Sequence, residues 1–132
     1  MTNEGPVARV ALNKIRRREL VEAAFEVLQG AGIAGTTILR VAEKAGVSKG
    51  IVLHYFRDKE ELIEHTMRYA NARLRDDVID LLNQASTPLQ RVEAVIEGNF
   101  HPRSFRPEIA HAWLSFCAEV PFNRQYGRLQ RV

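Results

Sequence analysis

The 132-residue chain is 45% apolar and 27% charged, so it can bury a core and is not expected to be disordered. It has no apolar run of the about 20 residues that a membrane helix needs, and its single cysteine, Cys117, excludes an internal disulfide. These features predict a cytoplasmic protein made of one helical domain or of two halves that share a core.

The net charge of +3 is concentrated in the first half of the chain. Residues 1–74 contain 12 Lys and Arg against 9 Asp and Glu, whereas residues 75–132 contain 7 of each kind. The densest basic run is Lys14 with the three arginines at 16–18. Basic runs on helices are usually solvated faces, so charge alone leaves open whether this half binds an anionic partner.

The apolar spacing predicts an all-α fold, and no strand pattern is present. Residues 1–13 are expected to form a flexible arm ahead of a first helix that begins near Lys14. The glycines of GAGIAG (30–35) are expected to stop that helix, because a left-handed cap costs little there. Thr37 then caps a short second helix, and Ser48 caps a short third helix.

The second half is predicted to hold four more helices. Asp58, with Glu61 three residues later, predicts the N-cap of a long fourth helix. Pro88 and Pro107 suit the first turns of helices five and six. Pro121 is expected to end helix six before a short seventh helix.

Helices two and three form a predicted helix-turn-helix over residues 37–56, with a tight turn at Gly46. The second helix of such a unit enters the major groove of DNA. Spacing assigns four side chains of helix three to the core, namely Ile51, Val52, Tyr55 and Phe56. The alternative is a plain helical hairpin whose polar residues only solvate it.

The remaining side chains around helix three are suited to DNA. Ser48 and Lys49 lie at its positive N-terminal end, where phosphate oxygens are favoured. Gly50 lets the backbone approach DNA closely, and Lys59 begins the next helix, where its amine can contact a phosphate. Leu53 and His54 face outward together with Lys49 and Gly50.

The segment TTILRVAEKAGVSKGIVLHYFRDKEEL (36–62), with its AxxAGVSxGxxxHYF pattern, resembles the DNA-binding domain of TetR-family transcriptional regulators. The resemblance runs over residues 14–74, and it implies that residues 75–132 form part of a ligand-binding and dimerisation domain. It implies DNA contacts at Thr37, Ser48, Lys49, Gly50, His54 and Lys59. Leu53 departs from the Tyr of many relatives, and we predict that it contacts a thymine methyl group.

In the second half, IEGNF, AWLSF and YGRLQRV resemble a choline-responsive subgroup of that family, which represses glycine betaine synthesis genes. The resemblance implies an operator DNA, a homodimer, no cofactor, and an effector such as choline or a related quaternary amine. Aromatic faces hold a quaternary ammonium by cation–π contact. The candidates are Phe100, Trp113, Phe116 and Tyr126, all of which serve equally well as core residues.

Three rival interpretations remain open. Glu108 and His111 form a Glu-x-x-His pair, as in di-iron helix bundles, but the second pair that a small metal-binding enzyme needs is missing. His111 and Cys117 lie on different sides of one helix, which argues against a nucleophile and its base. The apolar stripe that continues through Leu129 and Val132 leaves open a fragment, a frameshifted product or a natural short form, and the alternative function is a subunit that modulates full-length regulators by pairing with them.

Overall fold

The computed structural model describes residues 6–129 of the chain, and every regular element in that range is helical, as predicted. Seven α-helices are joined by short loops, with one 3₁₀ turn, Val120–Phe122, after the sixth. The helices are α1 (Pro6–Gly35), α2 (Ile38–Ala45), α3 (Lys49–Tyr55), α4 (Lys59–Gln84), α5 (Pro88–Asn99), α6 (Pro107–Glu119) and α7 (Arg124–Gly127).

The first helix begins earlier than the sequence predicted. Residues 6–13 are helical, so the prediction of a flexible arm over 1–13 is wrong for them, and residues 1–5 lie outside the described part. Residues 6–16 are exposed and bury no apolar stripe, which is why periodicity placed the start near Lys14. Pro6 suits the first helical position because its missing N–H would have no partner there.

The glycine-rich end of α1 breaks at one residue. Gly32 has φ 66° and ψ −176°, a conformation that is essentially restricted to glycine. The buried Thr36 hydroxyl donates to the Gly32 carbonyl at 2.7 Å and closes the turn that follows. The predicted stop within 30–35 is therefore a sharp change of direction centred on Gly32.

Side-chain caps fix the starts of four helices. The backbone N–H three residues further on donates to each cap, in the pairs Arg40 to Thr37 (3.2 Å), Ile51 to Ser48 (3.3 Å), Glu61 to Asp58 (2.8 Å) and Gln90 to Thr87 (3.2 Å). The caps predicted at Thr37, Ser48 and Asp58 are confirmed. Pro88 and Pro107 begin α5 and α6 as predicted, and Pro121 lies in the 3₁₀ turn.

Two apolar clusters form the interior. The N-terminal core packs α1, α2, α3 and the start of α4, with Leu20, Val21, Ala23, Ala24, Val41, Ala42, Val52, Phe56 and Leu62. The central core packs α1, α4, α6 and α7, with Phe25, Leu28, Ile33, Ile63, Met67, Ala70, Ile109, Ala112, Phe116 and Tyr126. Because α1 and α4 contribute to both, the two halves share long helices and are not joined by a linker.

Between residues 6 and 129, no helix combines the length and the apolar character that crossing a bilayer requires.

Candidate nucleic-acid interface

Helix α3 is attached to the domain by one narrow apolar stripe. Val52 is fully buried and Phe56, one turn later, is 1% exposed. Tyr55 is half-buried against the same core. Ile51 is 42% exposed, so its predicted place in the core is wrong. Successive helical residues are about 100° apart, and the narrow face of α3 that meets the core holds Val52 and leaves Ile51 outside it.

The other face of α3 is open along its whole length. The side chains of Lys49, Leu53 and His54 are exposed, as is Gly50. The Thr37 and Ser48 caps, at the starts of α2 and α3, are exposed too. Six of the seven predicted DNA contacts are therefore exposed, five of them on α3 or at its start and Thr37 at the start of α2.

The turn between α2 and α3 is fixed by Gly46. This residue adopts a left-handed conformation (φ 69°), and its N–H donates to the carbonyls of Ala42 and Glu43. The Val47 N–H also bonds the Ala42 carbonyl, at 3.0 Å. These bonds satisfy the end of α2 and set the angle between the two short helices. The helix-turn-helix predicted over 37–56 is thus present.

The seventh predicted contact, Lys59, is the first residue of α4 and is half-buried. Its neighbour Asp58 caps α4 and also accepts a hydrogen bond from Arg57 Nε at 2.9 Å. The bond from Arg57 and the bond from the Glu61 backbone N–H hold the pKa of the Asp58 carboxyl below its usual range. Glu61 accepts from the Arg57 backbone N–H at 2.7 Å, one residue earlier than a standard capping box. The Arg57 side chain is therefore paired with Asp58, whereas Lys59 has no ion pair within residues 6–129.

Part of the basic excess stabilises the domain internally. Arg17 lies 4.7 Å from the ring centre of Phe56 and approaches His65 Nε2 at 3.3 Å. Lys44 pairs with Glu26 at 2.6 Å. The exposed Lys49, in contrast, has no ion-pair partner in the part of the chain that the structure describes. Charge distribution alone could not separate these two groups of cations.

A contact between α1 and α3 was not predicted from the sequence. The Tyr55 hydroxyl donates to Asn13 Oδ1 at 3.3 Å, so the early part of α1 lies beside α3. The exposed basic residues Arg9 and Lys14 belong to the same helical segment. The available signal was Pro6 at a helix start, followed by a long stretch without a helix breaker.

The four predicted effector aromatics do not form a single cluster. Phe116 lies between Trp113 and Tyr126, with ring centres 6.4 Å and 5.3 Å away. Phe116 and Tyr126 are each only 2% exposed, and burial raises the pKa of the Tyr126 hydroxyl. Phe100 is 59% exposed and pairs with Phe105 instead, at 5.1 Å. Three of the candidates therefore pack together, and the fourth lies apart from them.

The Glu-x-x-His pair has a structural explanation. His111 Nδ1 bonds the Gln29 carbonyl at 2.9 Å, which ties α6 to α1. Among residues 6–129, no group of three or more His, Cys, Asp or Glu side chains is placed to hold a metal ion. The predicted stripe at the end of the chain reaches Leu129, which packs on the central core, whereas Val132 lies outside the described residues.

Comparisons with known proteins agree with this arrangement. The sequence model of the family described as "Bacterial regulatory proteins, tetR family" matches residues 20–66. The chain is 42% identical over 127 residues to the "HTH-type transcriptional regulator BetI" of Cronobacter sakazakii (strain ATCC BAA-894), and 39% identical to that of Escherichia coli O17:K52:H18 (strain UMN026 / ExPEC). Both alignments cover 94% of this chain, but 62% and 65% of those proteins.

Solved structures show the same fold. A TetR transcription regulator from Haloarcula marismortui ATCC 43049 superposes with a TM-score of 0.80 at 22% identity, over 89% of this chain and 62% of that one. A transcriptional regulator from Rhodococcus sp. Rha1 gives 0.74 at 24% identity, over 87% and 61%. The two BetI relatives are named as regulators and not as enzymes. The helix-turn-helix geometry, the family match over residues 20–66 and the identity to BetI proteins together show that residues 20–66 of this chain form a DNA-binding domain of the type found in the tetR family of bacterial regulatory proteins.

Proposed function

We propose that this chain is a sequence-specific DNA-binding regulator that represses transcription. The observation that carries the proposal is the exposed face of α3, which presents Lys49, Gly50, Leu53 and His54 while Val52 and Phe56 hold the helix in place. A helix exposed in this way fits the major groove, where base edges carry the sequence information. The family match over residues 20–66 and the names of the BetI relatives point to the same activity.

The residues divide into two roles. Thr37, Ser48 and Lys59 stand at helix starts, where hydroxyls, amines and free N–H groups bind phosphates and fix the register on the duplex. Lys49 and His54 offer donors to base edges, and Leu53 offers an apolar contact to a thymine methyl group. Gly50 allows the backbone to approach the DNA.

The regulator is proposed to act as a homodimer in the cytoplasm. Two reading helices bind half-sites about 34–36 Å apart, and a two-fold dimer sets that spacing. The second half-site raises affinity through effective concentration without requiring new kinds of contact. This chain spans less than two thirds of the length of its two BetI relatives.

The proposed effector is choline or a related quaternary amine, which releases the protein from DNA. Support comes from the resemblance to the choline-responsive subgroup and from the identity to BetI proteins. Trp113, which is half-buried beside Phe116, has an aromatic face of the kind that attracts such a cation. The effector acts by binding the DNA-free arrangement of the two halves more tightly than the DNA-bound one.

Fluorescence anisotropy with labelled duplex from upstream of the gene tests the DNA-binding proposal. Wild-type protein is compared with Lys49→Ala and with Arg91→Ala, a charge-matched control on the exposed part of α5. We expect Lys49→Ala to weaken binding to this duplex more than binding to scrambled duplex, with Arg91→Ala unchanged. Equal affinity of all three proteins for both duplexes would remove the proposal.

The effector proposal is tested on the same complex. Choline is added to protein bound to its duplex, with sodium chloride at equal ionic strength as the control, because DNA affinity depends steeply on salt. We expect release in choline beyond that seen in sodium chloride. Identical release in both would exclude choline as the effector.

A further inference from the structure

A cavity of about 210 Å³ lies where the two halves meet. Its apolar wall includes Phe25 of α1, Ala70 of α4, and Ile109 and Trp113 of α6. Phe25 and Ile109 are also part of the central core, so this wall is rigid. A molecule bound here would contact helices of both the DNA-reading half and the second half.

The polar part of the cavity carries positive charge. Three guanidinium groups, of Arg73, Arg103 and Arg106, line it, and its lining within the described residues contains no Asp or Glu. Arg103 is neutralised by its ion pair with Asp77. Arg73 and Arg106 have no ion-pair partner within residues 6–129, although Arg73 lies 5.7 Å from the Tyr69 ring centre. The cavity therefore combines an apolar wall with two unneutralised cations.

This combination selects the charge of a ligand. A bare cation would be repelled by the two arginines, and a purely apolar molecule would leave them without a new partner. A carboxylate matches the planar donor fork of arginine and forms charge-assisted hydrogen bonds with it.

We propose that this cavity binds a small carboxylate, whose apolar body packs on Ile109 and Trp113 and whose carboxylate group is held by Arg73 and Arg106. The volume is below the about 300–1,000 Å³ of pockets that take drug-sized ligands, so the ligand is a small molecule. This inference goes beyond the proposed function, since the effector proposed above is a cation. It depends neither on DNA binding nor on choline.

The experiment uses the intrinsic fluorescence of Trp113, the only tryptophan of the sequence. Three probes of similar shape but different charge are titrated. They are the anion tert-butylacetate (3,3-dimethylbutanoate), the neutral neohexyl alcohol (3,3-dimethylbutan-1-ol) and the cation choline. We expect tert-butylacetate to bind about tenfold more tightly than neohexyl alcohol, because a carboxylate forms charge-assisted hydrogen bonds with the arginines and a hydroxyl does not. Equal affinity for the anion and the alcohol, or no binding of the anion, would overturn the inference.

Variants locate the site. Arg73→Gln and, independently, Arg106→Gln should each weaken tert-butylacetate binding about tenfold, while Arg91→Gln on the exposed part of α5 should leave it unchanged. Far-ultraviolet circular dichroism confirms that each variant is folded, and either of the two cavity variants is sufficient for the test. Equal weakening in all three variants would show a general charge effect and overturn the site.

The choline titration separates this inference from the proposed effector. A fluorescence response to choline but not to tert-butylacetate would overturn the carboxylate site and support choline as the effector. A response to tert-butylacetate alone, lost in the cavity variants, would support the site and count against choline binding beside Trp113. Responses to both, with only the anion weakened by Arg73→Gln, would support the carboxylate site as well.

Discussion

The backbone N–H of Ile33 donates a hydrogen bond to Ser115 Oγ at 2.7 Å, joining the end of α1 to α6 across 82 residues of sequence. One turn away, His111 bonds the Gln29 carbonyl of α1. Both bonds flank Gly32, where α1 changes direction. These two bonds therefore hold the end of α1 against α6 at the point where α1 changes direction.

Removing the Ser115 hydroxyl should weaken this junction. Ser115→Ala leaves the partly buried Ile33 N–H without its acceptor, and we expect a loss of about 1–2 kcal/mol in the free energy of unfolding. Urea unfolding followed by circular dichroism measures it. Ser86→Ala, in the exposed loop between α4 and α5, is the control and should change stability by less than about 0.5 kcal/mol. A Ser115→Ala protein as stable as the control would contradict the role of this bond.

Gly32 should resist substitution far more than Gly30, two residues earlier. A Cβ at position 32 would lie 2.9 Å from Ser115 Oγ, on a backbone whose φ of +66° strains any other residue. We expect Gly32→Ala to cost about 1–3 kcal/mol or more. At Gly30 a Cβ meets nothing within 4 Å, and alanine should be neutral or stabilising by up to about 1 kcal/mol. Equal melting temperatures for the two variants would contradict this.

Local chemistry made much of the fold predictable. The caps at Thr37, Ser48 and Asp58 depend on one side chain and the backbone three residues later, and α4 begins at Lys59, directly after its predicted cap, for the same reason. The start of α1 was missed because its first turns bury nothing, so no apolar spacing records them. Helix formation there reflects the absence of breakers after Pro6.

Contacts between residues that are far apart in the sequence could not be predicted from the sequence pattern. Nothing in the sequence positions of Ile33 and Ser115 indicates that they form a hydrogen bond. Phe100 and Phe116 are the same residue type, yet Phe100 pairs with the exposed Phe105 whereas Phe116 lies in the central core. Ile51 was assigned to the core because its spacing fits a helix, yet α3 is packed on too narrow a face to bury it. The exposed face of α3 was predictable because it is what the caps and the Val52–Phe56 stripe leave open.

A substitution at Gly50 should change DNA affinity without lowering the stability of the fold. A Cβ there would approach only Ser48 Oγ, at 3.8 Å, which is ordinary contact. Gly50→Ala should therefore leave stability unchanged or raise it by up to about 1 kcal/mol. Operator affinity should fall by about tenfold, or about 1.4 kcal/mol, because a methyl group enters the space between backbone and duplex. A variant with unchanged DNA affinity would show that the glycine is not at the interface.

The stability of the N-terminal half should depend on the protonation of His65. Burial lowers the pKa of His65, and the Arg17 guanidinium beside it lowers that pKa further. The unfolded chain therefore binds a proton at His65 more readily than the folded chain does. The contribution of neutral His65 to the free energy of unfolding is fully present above the ordinary histidine pKa of about 6.5 and is lost as the pH falls below that value. Urea unfolding from about pH 7.5 to about pH 5 measures this slope. His65→Gln should flatten it, whereas the exposed His54→Gln should not; equal slopes in both variants would exclude His65 as the cause.

Lys59 should bind a phosphate and Lys49 should read bases, and salt dependence distinguishes the two roles. Lys59 stands at the capped start of α4, next to the free N–H groups of its first turn, where a phosphate oxygen is favoured. Each phosphate contact contributes about 0.9 to the slope of log affinity against log salt, because binding releases a condensed counterion. Lys59→Ala should therefore reduce that slope by about one and weaken binding to all sequences about equally.

Lys49→Ala provides the matched comparison, because it removes the same charge from the first residue of α3. A lost base contact costs about 1–3 kcal/mol at one position of the operator and leaves other sequences less affected. Anisotropy titrations at several salt concentrations, on the operator and on single-position variants of it, measure both quantities. If Lys59→Ala changed sequence preference while its salt slope stayed that of the wild type, the start of α4 would face base edges and not the phosphate backbone.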